Sequence, residues 1–294
     1  MKRRYFLRSL SVMSLTPVVM NAKGLNQLAS SGNSSGPMPL LFLGHGSPMN
    51  AIEDNVFTRG FKSVADRIDK PKAILVVSAH WETRGTMITV NEHPPTIHDF
   101  GGFPQELFNV QYPAPGNPRL AKDTAGMIHT TEVGLSEQWG LDHGAWSVIR
   151  HMYPEADIPV IQLSLDYTKG PRYHYDLAKE LVSLRQKGVL IVGSGNLVHN
   201  LRMVAWDKLD ELDYGFDWAK EAQEKMNGFI LNNNYQALID YKNQGQAMQL
   251  AIPTPDHFLP LLYVLALKNE KDEITIFNDK KVGGSLSMTS LKIG

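Results

Sequence analysis

Four histidines in this chain share one local setting and are the residues best suited to chemistry: His45, His80, His199 and His257. Each follows a glycine, serine or proline beside a short apolar run of residues. Neutral imidazole is the commonest side-chain ligand for metal ions in proteins. The shared setting therefore predicts that the four imidazoles form one metal site.

The absence of cysteine narrows the choice of ligands. The 294-residue chain contains 10 histidines and 0 cysteines, which excludes disulfides, thiolate nucleophiles and sulfur-ligated metal sites. Any metal must be held by histidine, aspartate or glutamate. Asp256 is the nearest candidate carboxylate, but it adjoins His257, and adjacent residues rarely reach the same ion.

Two further histidines are candidates for proton transfer. His98 lies in a glycine-rich loop beside Asp99, and His143 directly precedes a predicted helix. Either could act as a general acid or base, or as a hydrogen-bond partner that orients another group. The remaining histidines lack such a context and are expected to be structural or exposed: His93, His129, His151 and His174.

Three apolar runs lead into the first three histidines of the set, at residues 40–43, 74–77 and 189–192. Short apolar runs bounded by glycine, serine or proline are typical of buried strands. Ligands in open α/β sheets bind at the carboxyl ends of parallel strands, so these strand ends are expected to converge. Alternation of strand and helix patterns predicts an α/β fold with a central, mostly parallel or mixed sheet and helices on both faces.

The other expected elements follow from the same patterns. Strands are predicted at 86–90, 160–165, 274–277 and 286–293, and helices at 55–68, 120–129, 145–152, 175–186, 217–231, 235–241 and 258–265. A long loop at 91–117, rich in proline and glycine, is expected to form an ordered lid over a pocket. Phe100, Phe103 and Trp146 could pack against an aromatic ring there, with plain core or lid packing as the alternative.

The N-terminal segment looks like an export signal. Arg3, Arg4, Phe6 and Leu7 precede a modestly apolar run, the pattern of a twin-arginine signal over residues 1–22. The run is shorter than the about 20 apolar residues that span a bilayer, so no stable membrane insertion is expected. A periplasmic or otherwise exported protein is predicted, with an ordinary secretory signal or a frayed N-terminus on a cytoplasmic protein as alternatives. Serine, glycine and asparagine mark 23–38 as a linker before a folded domain at 39–294.

The charge balance gives no reason to expect a nucleic-acid partner. The chain has 29 basic and 30 acidic residues and a net charge of -1. It also has no basic stripe interleaved with aromatic residues, the usual footprint of nucleic-acid binding. With 43% hydrophobic and 20% charged residues, the composition suits a soluble globular domain.

Seven motifs occur together in order around these residues: G-H-G-S-P-M (44–49), S-A-H-W (78–81), P-T-I-H-D-F-G-G-F-P (95–104), D-H-G-A-W (142–146), G-S-G-N-L-V-H-N (193–200), P-T-P-D-H-F-L-P-L (253–261) and G-S-L-S-M (284–288). On the basis of these motifs, the chain from residue 39 to its end resembles the DOPA 4,5-dioxygenase branch of the class III, LigB-like extradiol ring-cleaving dioxygenases.

The resemblance implies a single LigB-like α/β domain with one mononuclear divalent metal. It implies that the protein opens the ring of a DOPA-like catechol with molecular oxygen, by 4,5-cleavage. Carried over residue by residue, the metal positions of the family fall on His45, His80, His199 and His257, and its acid/base histidines fall on His98 and His143.

One departure from the wider superfamily bears on the metal. Many class III enzymes hold Fe(II) with two histidines and one carboxylate, whereas the set expected here is all histidine. Such a set also suits zinc, which has no redox chemistry, so the bound metal could be Zn(II) while catalysis needs Fe(II). Two other functions stay open: a zinc-dependent hydrolase or lyase on the same scaffold, and a non-catalytic binding relative, against which the retained histidines argue.

Overall fold

A mixed eight-stranded sheet lies at the centre of the computed structural model, which describes residues 36–294. The predicted export signal and residues 23–35 of the predicted linker lie outside the described residues. The strands are β1 (Leu40–Gly44), β2 (Ala73–Thr83), β3 (Thr86–Thr89), β4 (Val133–Ser136), β5 (Val160–Asp166), β6 (Val189–Gly195), β7 (Ile274–Phe277), β8 (Lys281–Val282), β9 (Leu286–Ser287) and β10 (Ser290–Ile293). The large sheet has the order β4-β3-β5-β2-β6-β1-β10-β7, and β8 pairs with β9 alone.

The four middle strands are parallel and carry the site. β5, β2, β6 and β1 pair in parallel, whereas β10 and β7 continue the sheet antiparallel beyond β1. Strands buried on both faces read as continuous apolar runs, which is why the runs at 40–43, 74–77 and 189–192 predicted them. The parallel pairing brings the carboxyl ends of β1, β2 and β6 to one edge, as expected for an α/β site.

Ten α-helices accompany the sheet within the described residues: α1 (Val56–Ala65), α2 (Gln105–Phe108), α3 (Pro118–Ala125), α4 (His143–Met152), α5 (Pro171–Lys179), α6 (Ser183–Gln186), α7 (Asp217–Leu231), α8 (Tyr235–Ile239), α9 (Gln246–Ala251) and α10 (Leu259–Ala266). The single helix predicted at 175–186 is wrong. α5 begins earlier, with Pro171 in its first turn where the missing N–H costs nothing, and α6 is separate. None of the helices at 36–294 is long and apolar enough to cross a membrane.

Two apolar layers cover the two faces of the sheet. Along β1, Leu40 and Phe42 join one buried cluster, while Leu41 and Leu43 join the other, because successive strand residues face opposite sides. The first layer includes residues of α5, α7 and α10, and the second includes residues of α1 and α4. The predicted α/β fold with helices on both faces is thereby confirmed.

The predicted strand at 286–293 is interrupted at Met288 and Thr289, which separates β9 from β10. The backbone of Met288 leaves the ladder because its N–H donates to the Lys280 carbonyl. A Cβ atom on Gly44 would lie only 2.6 Å from the carbonyl carbon and oxygen of Met288, closer than van der Waals contact allows. Only glycine is therefore tolerated at position 44, the residue before His45.

The long loop at 91–117 is ordered against α4. Thr96 bridges to Leu141, and the backbone N–H of Ile97 donates to the Leu141 carbonyl. The indole N–H of Trp146, a fully buried side chain, donates to the Ile97 carbonyl at 2.8 Å. These bonds hold the loop at the start of α4, where His143 lies.

Candidate metal centre

Three histidines from three separate elements meet at the carboxyl edge of the sheet. His45 follows β1, His80 lies on β2, and His257 precedes α10. Their ring centroids are 4.9 Å (His45–His80), 5.2 Å (His45–His257) and 5.0 Å (His80–His257) apart. One ligand nitrogen from each lies within 4.8 Å of the other two, an arrangement that could hold a metal ion.

An irregularity in β2 places His80 at this edge. The sequence predicted a strand end near residue 77, but β2 continues to Thr83. The ladder to β5 shifts register there: Val77 pairs with Leu163 and Glu82 already pairs with Leu165. A bulge of this kind re-aims side chains beside a site, and here it includes His80.

A tight turn places His45. The backbone N–H of His45 donates to the Gly195 carbonyl on β6, so the chain keeps the sheet register up to this residue. Gly46 then adopts a φ of 63°, a left-handed conformation that a side chain disfavours. Its position would also bring a Cβ to 2.4 Å from the Met288 sulfur. Glycine at position 46 therefore permits the tight turn that follows His45.

A carboxylate sets the tautomer of His257, and a second carboxylate lies beside His80. Asp256 Oδ2 accepts a hydrogen bond from His257 Nδ1, and Asp99 Oδ2 lies 3.3 Å from His80 Nδ1. An ionised carboxylate only accepts, so Nδ1 of His257 carries the proton and its Nε2 keeps a lone pair. Such outer contacts are the usual partners of metal-binding histidine, so the donor set fits a divalent metal.

Burial favours the neutral, metal-binding form of the imidazoles. Burial lowers the pKa of His45 well below its ordinary value, and repulsion from a charged His80 lowers it further. The same causes, burial first and then His143, hold the pKa of His80 well below its ordinary value. Both side chains are therefore uncharged at neutral pH and able to donate a lone pair.

The two carboxylates stay ionised although they are largely buried. Burial raises the pKa of Asp99, but the hydrogen bond and charge of His143 outweigh it, and the pKa lies below its ordinary value. In the same way, the hydrogen bond and charge of His257 outweigh burial and hold the pKa of Asp256 well below its ordinary value. Two anionic carboxylates therefore lie beside the imidazoles of the centre.

His199, the fourth histidine predicted as a ligand, lies beside the group of three. Its ring stacks on that of His257 with centroids 3.5 Å apart and planes 6° from parallel. Burial lowers its pKa to about 3. Its ligand nitrogen belongs to a neighbouring group with Asp256 and His257. The structure therefore brings together three of the four predicted ligands and stacks the fourth on one of them.

His143 and Asp99 form a pair next to the three histidines. Asp99 accepts hydrogen bonds from both the backbone N–H and Nδ1 of His143, each at 2.9 Å. The His143 ring lies 3.9 Å from that of His80 and 5.6 Å from that of His45. Asp99 was not predicted as a site residue. Its position next to His98 in the quoted loop motif was the only signal for it.

His98 has different neighbours. Its Nε2 donates to the Val110 carbonyl at 3.0 Å, and its ring packs against Phe100 and Trp146 at 5.7 and 5.6 Å. Within residues 36–294 it belongs to none of the groups that could hold a metal. Of the two roles predicted for His98, the contacts favour the hydrogen-bond partner that orders the loop.

The aromatic residues divide between core and site. Trp146 is fully buried in the layer of α1 and α4, so it packs as core. Phe100 packs edge-on against His143 at 5.6 Å and against Phe103 at 5.5 Å. Phe100 is therefore the aromatic side chain placed to contact a ring bound at this centre.

A buried polar network supports the start of α4. Asp142 caps the helix through the N–H of Ala145 and accepts hydrogen bonds from Ser78 at 2.6 Å and Gln162 at 2.7 Å. Burial raises its pKa, which these hydrogen bonds lower in part. Sequence reasoning missed Ser78 and Gln162 as partners, because residues far apart in the chain show no pairing signal.

Comparison with known proteins gives the family. The profile of the family described as "Catalytic LigB subunit of aromatic ring-opening dioxygenase" matches residues 38–283. The crystal structure of an uncharacterized protein from Escherichia coli K12 has the same fold, with a TM-score of 0.76 and 41% identity. That match covers 87% of this chain and 100% of the other.

Two curated relatives carry the same name. The 4,5-DOPA dioxygenase extradiol of Escherichia coli (strain K12) is 47% identical over 268 residues, which cover 89% of this chain and 96% of the relative. The 4,5-DOPA dioxygenase extradiol of Beta vulgaris is 37% identical over 260 residues, 85% of this chain and 94% of the relative. The family profile and both relatives confirm the resemblance that the motifs indicated, and the chain belongs to the LigB family of extradiol aromatic ring-opening dioxygenases.

Proposed function

We propose that this enzyme opens the ring of a DOPA-like catechol by 4,5-cleavage with molecular oxygen. The observation that carries the proposal is the placement of the His143–Asp99 pair beside the group of three histidines, with 3.9 Å between the rings of His143 and His80. That placement unites a metal site and a proton-transfer group at one edge of the sheet. The relatives named as 4,5-DOPA dioxygenases support the choice of substrate.

We propose Fe(II) as the catalytic metal, with His45, His80 and His257 as its ligands. When bound there, Fe(II) supplies electron transfer between the catechol and oxygen, chemistry that zinc lacks. Non-haem Fe(II) oxygenases hold their metal with three protein ligands and keep positions open for other ligands, so a set of three suits this chemistry. The stacked position of His199 outside the group agrees with this smaller set.

Proton transfer is assigned to His143. Because Asp99 holds the proton on Nδ1, Nε2 is the nitrogen free to exchange a proton with the substrate. As a base it takes a proton from a catechol hydroxyl, and as the conjugate acid it returns one during ring opening. The carboxylate of Asp99 stabilises the charged form between these steps, and the edge of Phe100 orients the substrate ring.

Oxygen uptake tests the proposed reaction. Protein stripped of metal and reloaded with Fe(II) without air is expected to consume one oxygen per DOPA molecule when air is admitted, and to form a yellow ring-opened semialdehyde. The same protein loaded with zinc is expected to show no oxygen uptake and no ring-opened product, because zinc, unlike iron, has no redox chemistry with which to transfer electrons to oxygen. An oxygen electrode and absorption spectroscopy provide the measurement.

A matched panel separates the alternatives. Dopamine and unsubstituted catechol, run beside DOPA, report how much the side chain contributes to kcat/KM. Activity with zinc alone, or a product formed without oxygen uptake, would instead establish a hydrolase or lyase on this scaffold.

We propose that the protein is exported through a twin-arginine signal. Arg3 and Arg4 with Phe6 and Leu7 support this route, and a protein that folds before export can load its metal inside the cell. Replacing both arginines with lysine is expected to trap the precursor in the cytoplasm, as fractionation and N-terminal sequencing would show. Export at the unchanged level, or a cytoplasmic wild-type protein that retains Met1, contradicts the proposal.

A further inference from the structure

The hydroxyl of Ser194 connects a histidine of the metal centre to the helix that carries His143. We propose that Ser194 is a positioning residue that selects the metal-binding tautomer of His45, an inference that rests on the metal centre proposed above. Ser194 lies near the end of β6 and pairs in register with Leu43 of β1, two residues before His45. Its side chain therefore faces both the imidazole and the first turn of α4.

The hydrogen bonds of this hydroxyl determine where the His45 proton must be. Ser194 Oγ lies 2.5 Å from the Gly144 carbonyl oxygen and 3.0 Å from His45 Nδ1. A carbonyl only accepts, so the single hydroxyl proton goes to Gly144, and Oγ can only accept from His45. Nδ1 must then carry the proton, which leaves a lone pair on Nε2, the atom 3.1 Å from His80 Nε2.

Burial makes this arrangement hard to replace. Ser194 is 0% exposed and His45 is 1% exposed, so solvent offers neither group an alternative partner. An unsatisfied buried donor or acceptor is costly, and the opposite tautomer would leave two lone pairs facing each other between Oγ and Nδ1. His257 takes its tautomer from the carboxylate of Asp256, whereas His45 takes it from a neutral hydroxyl that is itself oriented by the backbone.

Ser78 offers a matched control. It is the register partner of Ser194 in the β2–β6 ladder and is equally buried. Its hydroxyl also binds the start of α4, by donating to Asp142 Oδ1 at 2.6 Å, and it accepts a hydrogen bond from the backbone N–H of His80 at 3.2 Å, but neither contact involves an imidazole nitrogen. Ser78→Ala therefore removes a buried hydroxyl at the same helix without touching the tautomer of His45.

The test measures the tautomer and the affinity for zinc, without any assay of ring cleavage. In the full-length chain freed of metal, nitrogen NMR of labelled histidine is expected to show the His45 proton on Nδ1. In Ser194→Ala the proton is expected to distribute over both ring nitrogens, and the Kd for zinc to rise by about 10- to 100-fold, as for other outer partners of ligating histidines. Ser78→Ala is expected to keep the His45 proton on Nδ1, so the tautomer is the readout that separates the two serines.

Each other result has a definite meaning. A wild-type His45 that carries its proton on Nε2 overturns the proposal, even where Ser194→Ala fails to fold. The same redistribution of the His45 proton in the two serine variants also overturns it, because anchoring of α4 would then explain both. A wild-type chain that shows the expected tautomer but binds no zinc rejects the metal centre itself and leaves the tautomer assignment in place.

Discussion

Replacing His80 or His45 with alanine is expected to abolish stoichiometric metal binding. Each ring contributes one of three nitrogens that lie within 4.8 Å of one another, and two remaining donors hold a divalent ion far more weakly. His199→Ala, by contrast, is expected to keep one metal per chain, because its ring stacks on His257 outside the group. Elemental analysis of the purified variants after dialysis provides the measurement.

The comparison among these variants is the decisive part. A full complement of metal in both His45→Ala and His80→Ala would remove the site from this edge of the sheet. Loss of metal in His199→Ala would restore the set of four histidines that the sequence predicted, with His199 as a true ligand. Circular dichroism of each variant shows whether the fold survives, so that metal loss is not mistaken for unfolding.

His143→Ala is expected to keep its metal and lose ring-opening activity by about 100-fold or more, the scale on which general acid–base groups contribute. The prediction rests on two observations: the ring centroids of His143 and His80 are 3.9 Å apart, and His143 Nδ1 donates a hydrogen bond to Asp99 Oδ2. Asp99→Asn should lower kcat by about 10-fold or more, since a lost outer partner disturbs the tautomer and orientation of the imidazole. Turnover of DOPA by Fe(II)-loaded protein, with metal content measured in parallel, tests both.

His98→Gln is the matched control for this experiment. An amide can still donate to the Val110 carbonyl, so the loop is expected to stay ordered and the rate to stay near that of the wild type. A rate loss in His98→Gln as large as that in His143→Ala would return His98 to the role of acid or base. Full activity in His143→Ala would show that another group transfers the proton.

The helices and strands that carry the site could be read largely from local patterns. The apolar runs before His45, His80 and His199 are buried on both faces of a parallel sheet. Strands of this kind can be recognised in a sequence as continuous runs of apolar residues. The helix at 217–231 was predicted with the bounds that the structure shows. Where the prediction was wrong, as at Met288, a backbone hydrogen bond to Lys280 interrupts the expected strand.

The sequence by itself restricted the candidate metal ligands to histidine, aspartate and glutamate, because cysteine is absent, and it predicted four histidines among them. It also determined the family, since seven motifs keep their order along the chain. Which histidines meet was decided only by the tertiary structure. His199 stacks on His257, and His98 packs against Trp146, through contacts between segments that are far apart in sequence.

The partners of the histidines were also decided in three dimensions. Asp99 reaches His143 across 44 residues, and Ser194 reaches His45 across 149. Hydrogen bonds over such separations depend on the register of β1, β2 and β6 and on how α4 packs against the sheet. No local periodicity in the sequence predicts them. Local physics therefore specified which residue types could bind a metal, while the sheet register and the packing of α4 decided which of these residues come together.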